Sequence, residues 1–142
     1  MLIALGLTLA LAMPLGCLDI DGGAVEVAWV IRTSDQKAAD CQDNVPPIHR
    51  IRLKVAPVDE PDRDLCAEGL IGECDFECGL GGGTTPFNIP EGAYFFGIQP
   101  LTADGSPILS SDIAVSSSIR RSIVTGDLTD LGIWQLVILV GE

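Results

Sequence analysis

The sequence predicts an all-β domain, a single antiparallel β-sandwich of about seven strands. Three observations favour this fold class. Apolar and polar residues alternate with a period of two in several segments, and no long segment shows the spacing of an amphipathic helix. Turn signals rich in Gly, Pro and Asp recur about every 8–12 residues, as they do between the short strands of sandwiches.

The first predicted strand is residues 24–32, AVEVAWVIR. One face of this strand is apolar and comprises Val25, Val27, Trp29 and Ile31. Side chains two residues apart lie on the same face of a strand, so this face is expected to pack in the core.

Residues 48–58, IHRIRLKVAPV, alternate basic with apolar side chains. The basic positions are Arg50, Arg52 and Lys54, and the apolar ones are Ile51, Leu53 and Val55. The basic residues are interpreted as the solvated face of a half-buried sheet, with an anion-binding stripe as the alternative. His49 has the parity of the apolar residues, so it is predicted to be a partly buried packing residue.

The later strands are predicted from apolar runs separated by turn signals, at residues 84–89, 93–101, 107–115, 116–124 and 133–140. Asp104-Gly105 is typical of a hairpin turn. The aromatic residues Tyr94, Phe95 and Phe96 place strand 93–101 at the centre of the core.

Residues 59–83, DEPDRDLCAEGLIGECDFECGLGGG, contain eight acidic residues, one basic residue and three cysteines. This composition predicts a long acidic loop that is ordered by disulfides and free of long helices or strands. The alternative is a ligand- or Ca²⁺-binding module that uses the acidic segment 59–77. Its candidate ligands are Asp59, Glu60, Asp62 and Asp64.

The chain has five cysteines, and four remain after Cys17 is set aside. An even number of cysteines in an exported chain indicates disulfides, here with three possible connectivities. We prefer Cys41–Cys78 with Cys66–Cys74, because the outer bridge would join the first strand region to the end of the acidic loop and the inner bridge would close the loop at its base. Zinc at Cys74-x-x-x-Cys78 is the alternative; no metal and no cofactor are expected.

Charge and motifs exclude several function classes. The net charge of −12 and a pI of about 4.2 argue against nucleic acid as a partner. His49 is the one histidine, and neither G-x-S-x-G nor H-E-x-x-H occurs. The glycine-rich GLGGGTTP, residues 79–86, lacks the lysine of a phosphate-binding loop and is interpreted as flexible backbone. We therefore predict a protein that is not an enzyme and has no catalytic residues.

The N-terminal segment has the features of an export signal. Residues 2–12, LIALGLTLALA, form an apolar run too short to span a bilayer. The following MPLGC, residues 13–17, resembles the lipobox of bacterial lipoproteins. The resemblance implies a signal peptide at 1–16, lipidation of Cys17, a tether at 17–23 and a domain at 24–142. It also implies attachment to the bacterial cell envelope, and Leu18 after the cysteine favours the outer membrane.

Two later phrases carry a second resemblance. IPEGAYFFGIQPLTADGSPI, residues 89–108, and VTGDLTDLGIWQLVI, residues 124–138, resemble prealbumin-like and carboxypeptidase-regulatory-like sandwiches. Members of these families act as adhesin stalks, carbohydrate-recognition modules or enzyme appendages. The resemblance implies an Ig/prealbumin-like domain and a structural or interaction role with a protein or glycan partner, and it assigns no functional residue.

Overall fold

The computed structural model describes residues 20–141, which form two β-sheets around one hydrophobic core. Within these residues the chain has nine strands and one 3₁₀-helix, Cys78–Leu80. The strands are β1 (Ala24–Thr33), β2 (Ala38–Ala39), β3 (Arg50–Pro57), β4 (Asp75–Glu77), β5 (Gly82–Thr84), β6 (Gly92–Leu101), β7 (Ile113–Val115), β8 (Ile119–Ile123) and β9 (Leu128–Ile138).

The all-β class is confirmed, but the predicted number of about seven strands is wrong. The two additional strands are β2 and β4, which comprise two and three residues. Segments this short cannot show an alternating pattern, and they form because β1 and β3 offer free edges for pairing.

The first sheet has the order β2-β1-β9-β7, with β5 also paired to β1, and the second sheet has the order β4-β3-β6-β8. The prediction of a purely antiparallel sandwich is wrong, because β1 and β9 pair in parallel from Ala24 opposite Leu128 to Thr33 opposite Ile138. The turn between β8 and β9 carries the chain from the second sheet to the first. Strand β9 therefore lies beside β1 instead of beside its neighbour in sequence.

Strand β9 begins earlier than predicted and contains a β-bulge. Glu26 lies opposite Asp130 and Ala28 opposite Ile133, so β9 has one extra residue in this interval. Gly132 adopts a φ of 78°, a backbone conformation that favours glycine. The bulge resets the alternation, which is why the period-two pattern is clear only from Ile133 onward.

The core receives side chains from both sheets. Trp29 of β1 and Phe76 of β4 lie with their ring centroids 6.5 Å apart. In β6, Phe96 is fully buried and Tyr94 nearly so, which confirms that this strand is central. The four predicted inward residues of β1 are also buried.

Three local predictions are wrong. Strand β5 ends at Thr84 instead of continuing through 84–89, where Pro86 removes a donor from the backbone. Residues 107–115 form a strand only at Ile113–Val115, because a turn interrupts the preceding segment. His49 is exposed, since β3 begins after it and Ile48 takes the buried position instead.

Candidate functional site

The acidic loop is an ordered part of the domain. The two disulfides are Cys41–Cys78 and Cys66–Cys74, which is the connectivity preferred from the sequence. Two apolar side chains of this loop, Leu65 and Ile71, are buried in the common core. The Leu65 N–H donates to the Val55 carbonyl at 2.8 Å, so this part of the loop runs along the free edge of β3.

The four candidate Ca²⁺ ligands line one open surface pocket together with Arg63 and Glu68, but they do not form a metal site. Asp64 accepts the Val55 N–H at 3.1 Å and the Cys66 N–H at 3.0 Å through one oxygen, Oδ1. Glu60 pairs with Arg63 at 3.0 Å. Across residues 20–141, no group of three or more His, Cys, Asp or Glu side chains has an arrangement suited to a metal ion.

Arg63 lies between two acidic side chains. It contacts Glu68 through Nε at 2.8 Å and Glu60 through Nη1 at 3.0 Å. The hydrogen bonds that Arg63 donates to these carboxylates raise its pKa, the bond to Glu68 most strongly. Loop carboxylates therefore stabilise the loop itself, through Arg63 and through backbone N–H groups.

Asp64 gives a direct test of this structural role. Replacing a carboxylate that accepts two backbone N–H groups by alanine is expected to lower the free energy of unfolding by about 1–2 kcal/mol. Asp62→Ala is the matched control, because Asp62 is exposed and forms no side-chain hydrogen bond within residues 20–141. Urea denaturation measures both variants, and equal losses would contradict the assigned role of Asp64.

The glycine run at the end of the acidic loop is structured, and the prediction of flexible backbone is wrong. Gly81 caps the 3₁₀-helix with a φ of 70°, and Gly82 and Gly83 belong to β5. A Cβ atom on Gly83 would lie 2.3 Å from the Phe76 ring. The absence of a side chain at Gly83 therefore allows Phe76 to pack between the sheets.

The outer face of the second sheet carries basic side chains that come from separate strands. Strand β3 contributes Arg50, Arg52 and Lys54, and β8 contributes Arg120. Arg120 lies opposite Phe95 of β6, the strand that pairs with β3 on its other side. We call these four basic residues the basic face; they are half of the eight basic residues in a chain of net charge −12. The addition of Arg120 was not visible in the sequence, because it depends on the pairing of β8 with β6.

Only one of these four side chains is neutralised by an ion pair among the described residues. Arg52 binds Asp75 in a bidentate manner at 2.7 and 2.8 Å, and this hydrogen bonding lowers the pKa of Asp75. Within residues 20–141, Arg50, Lys54 and Arg120 form no ion pair and are exposed. Gly97 lies between the Cβ atoms of Lys54 and Ser118, and because it has no side chain the surface is flat at this point.

The chain enters the domain at Gly22 and Gly23, which are in close contact with neighbouring segments. The Gly23 N–H donates to the Ile89 carbonyl at 2.8 Å, and the Gly126 N–H donates to the Gly22 carbonyl at 3.0 Å. A Cβ on Gly22 would lie 2.2 Å from the Ile89 oxygen, and one on Gly23 would lie 2.5 Å from Ile123.

The predicted lipidation residue, Cys17, and the predicted signal peptide lie outside the described residues.

A comparison with protein-family models, curated proteins and solved structures finds no match to this chain. In the part of the chain from residue 20 to residue 141, none of the helices is both long and apolar enough to cross a bilayer.

Proposed function

We propose that this protein is a lipid-anchored, non-catalytic interaction module of the bacterial cell envelope, attached to the outer membrane through Cys17. The lipobox-like MPLGC supports the attachment. Two or three acyl chains give firm membrane binding, at about 0.8 kcal/mol per buried methylene. The strongly negative domain is repelled by anionic headgroups, so the lipid has to supply the attachment.

We further infer that the two sheets form an Ig/prealbumin-like β-sandwich. The shared core of the two sheets and the position of the last strand beside the first support this assignment. Such a domain serves here as a rigid support, since two disulfides fix its longest loop.

The non-catalytic role is supported by the surroundings of the single histidine. The His49 side chain is exposed, and its backbone N–H and carbonyl bond to Leu101 and Cys78. A general base needs a nucleophile within hydrogen-bond reach and a group that orients it.

The partner that we propose is an acidic glycan bound on the basic face. The observation that carries this proposal is that Arg50, Lys54 and Arg120 are exposed without ion pairs in an otherwise acidic chain. Arg50, Arg52 and Lys54 follow one another along one face of β3 at about 7 Å spacing, which suits the repeating charge of a linear polymer. Half-buried Phe95 and Gly97 provide an apolar, flat surface between the cations.

Dextran sulfate immobilised on a column tests this surface with a defined polyanion. We expect the mature protein to be retained at low salt and released as salt rises, because exposed charges are screened. The triple variant Arg50→Gln, Lys54→Gln, Arg120→Gln is expected to flow through.

The charge-matched control is Arg32→Gln, Lys37→Gln, Arg121→Gln, which removes three basic side chains outside the basic face. This variant is expected to be retained like the unmodified protein. Absence of retention of the unmodified protein, or an equal loss in both variants, would argue against the basic face as the binding surface.

A further inference from the structure

The strands define two opposite ends of the domain, and the N-terminal tether leaves from one of them. Strands β1 and β9 both begin at this end, with Ala24 opposite Leu128. Strand β8 ends there at Ile123, and the connecting turn contacts the chain at Gly22. We call this the anchor end.

The anchor end exposes four large apolar side chains around the point where the chain enters the domain: Ile20, Phe87, Val124 and Leu128. Ile20 lies two residues before Gly22, whose carbonyl accepts the Gly126 N–H. Phe87 lies two residues before Ile89, which forms backbone hydrogen bonds with Gly23. The backbone carbonyl of Val124 lies next to Gly23, and Leu128 lies opposite Ala24 in the sheet.

The length of the chain outside the domain limits how far this end can lie from the lipid. Five residue steps separate Cys17 from Gly22, a span of about 17 Å at full extension. Because Gly22 and Gly23 are held on both sides, the chain is already part of the domain at Gly22.

We propose that the anchor end rests on the lipid surface and that its four apolar side chains insert between the headgroups; this inference rests on the proposed lipidation of Cys17. Burial of apolar area in the interface adds to the binding that the acyl chains supply. The exposed Asp21 and Asp127 lie at the same end and would be repelled by anionic headgroups. The membrane surface that suits this end is therefore one of low negative charge. The opposite end then points away from the membrane.

The test compares two leucines at opposite ends of β9. Leu128 begins β9, whereas Leu109 lies near its last residue, since Asp112 contacts both Leu109 and Leu139. A strand of this length separates the two positions by roughly 33 Å. Both side chains are exposed, at 50% and 67%, so that both accept a label without loss of core packing.

Leu128→Cys and Leu109→Cys would each be labelled with an environment-sensitive fluorophore in the full mature lipoprotein. The proteins are reconstituted in phosphatidylcholine vesicles that contain lipids with nitroxide-labelled headgroups. We expect a blue shift and strong quenching at position 128 and no change at position 109.

The possible failures are separable. Equal quenching at both positions, or none at either, in protein that sediments with the vesicles overturns the orientation and leaves the anchor intact. Protein that stays in the supernatant overturns the proposed lipid attachment itself, and the orientation with it. Thermal unfolding of the labelled variants, with midpoints equal to that of the unlabelled protein, confirms that the label has not disturbed the fold.

Discussion

Loss of the Cys41–Cys78 disulfide, by Cys41→Ala with Cys78→Ala, is expected to lower the free energy of unfolding by about 4 kcal/mol. This bridge closes an interval of 37 residues, and the entropy that a cross-link removes from the unfolded chain grows with the size of the closed loop. In the folded state it also joins the segment before β3 to the 3₁₀-helix. The Cys78 carbonyl accepts the indole N–H of buried Trp29 at 3.0 Å.

The second disulfide provides the matched control for this prediction. Cys66–Cys74 closes only 8 residues, so Cys66→Ala with Cys74→Ala is expected to cost about 2.5 kcal/mol. Urea denaturation of both double variants gives the comparison. An equal or larger loss for the shorter bridge would contradict the explanation by loop closure.

Cys17→Ala is expected to abolish the incorporation of labelled palmitate completely. The thiol of Cys17 is the proposed site of acylation, and the other four cysteines of the chain are in disulfides. A cysteine in a disulfide has no thiol to acylate, so a single substitution should remove all of the label.

The control for this result is the double variant Cys66→Ala, Cys74→Ala, which removes two cysteines and leaves Cys17 in place. It is expected to incorporate palmitate to the extent of the unmodified protein. Label that persists in Cys17→Ala, or that disappears in the control, would argue against Cys17 as the site.

Local patterns predicted the parts of the fold that depend on local physics. The alternation of β1 and β3 identified their buried faces, because one face of each strand packs in the core. Composition and the parity of the cysteines predicted an ordered acidic loop with two disulfides. These features depend on neighbouring residues and on the chemistry of single residue types.

The features that the sequence did not predict depend on pairing between distant segments. The parallel contact of β1 with β9 and the bulge at Gly132 are set by register, which no local pattern encodes. Arg120 lies next to Arg121 in the sequence, and only the pairing of β8 with β6 places it on the basic face. His49 was misplaced because alternation was extended one residue beyond the start of β3.

The candidate ligands of the acidic loop share one pocket without forming a metal site, because the carboxylates of Glu60 and Asp64 have other partners. A dense run of acidic residues is consistent with a cation site and equally with carboxylates that bond the backbone. Asp64 takes the second role, since its Oδ1 accepts two N–H groups where the loop meets β3. The sequence contains no signal for this choice, because Val55 is nine residues away.

The lipid attachment of this domain is tested most directly by the mass of the N-terminal peptide of the native protein, purified from membranes in detergent. We predict a mature chain that begins at Cys17 and carries a thioether-linked diacylglycerol together with an acylated amine. A mature chain that begins elsewhere, or one with an unmodified sulfur at residue 17, would contradict the claim that lipid holds this domain in the envelope.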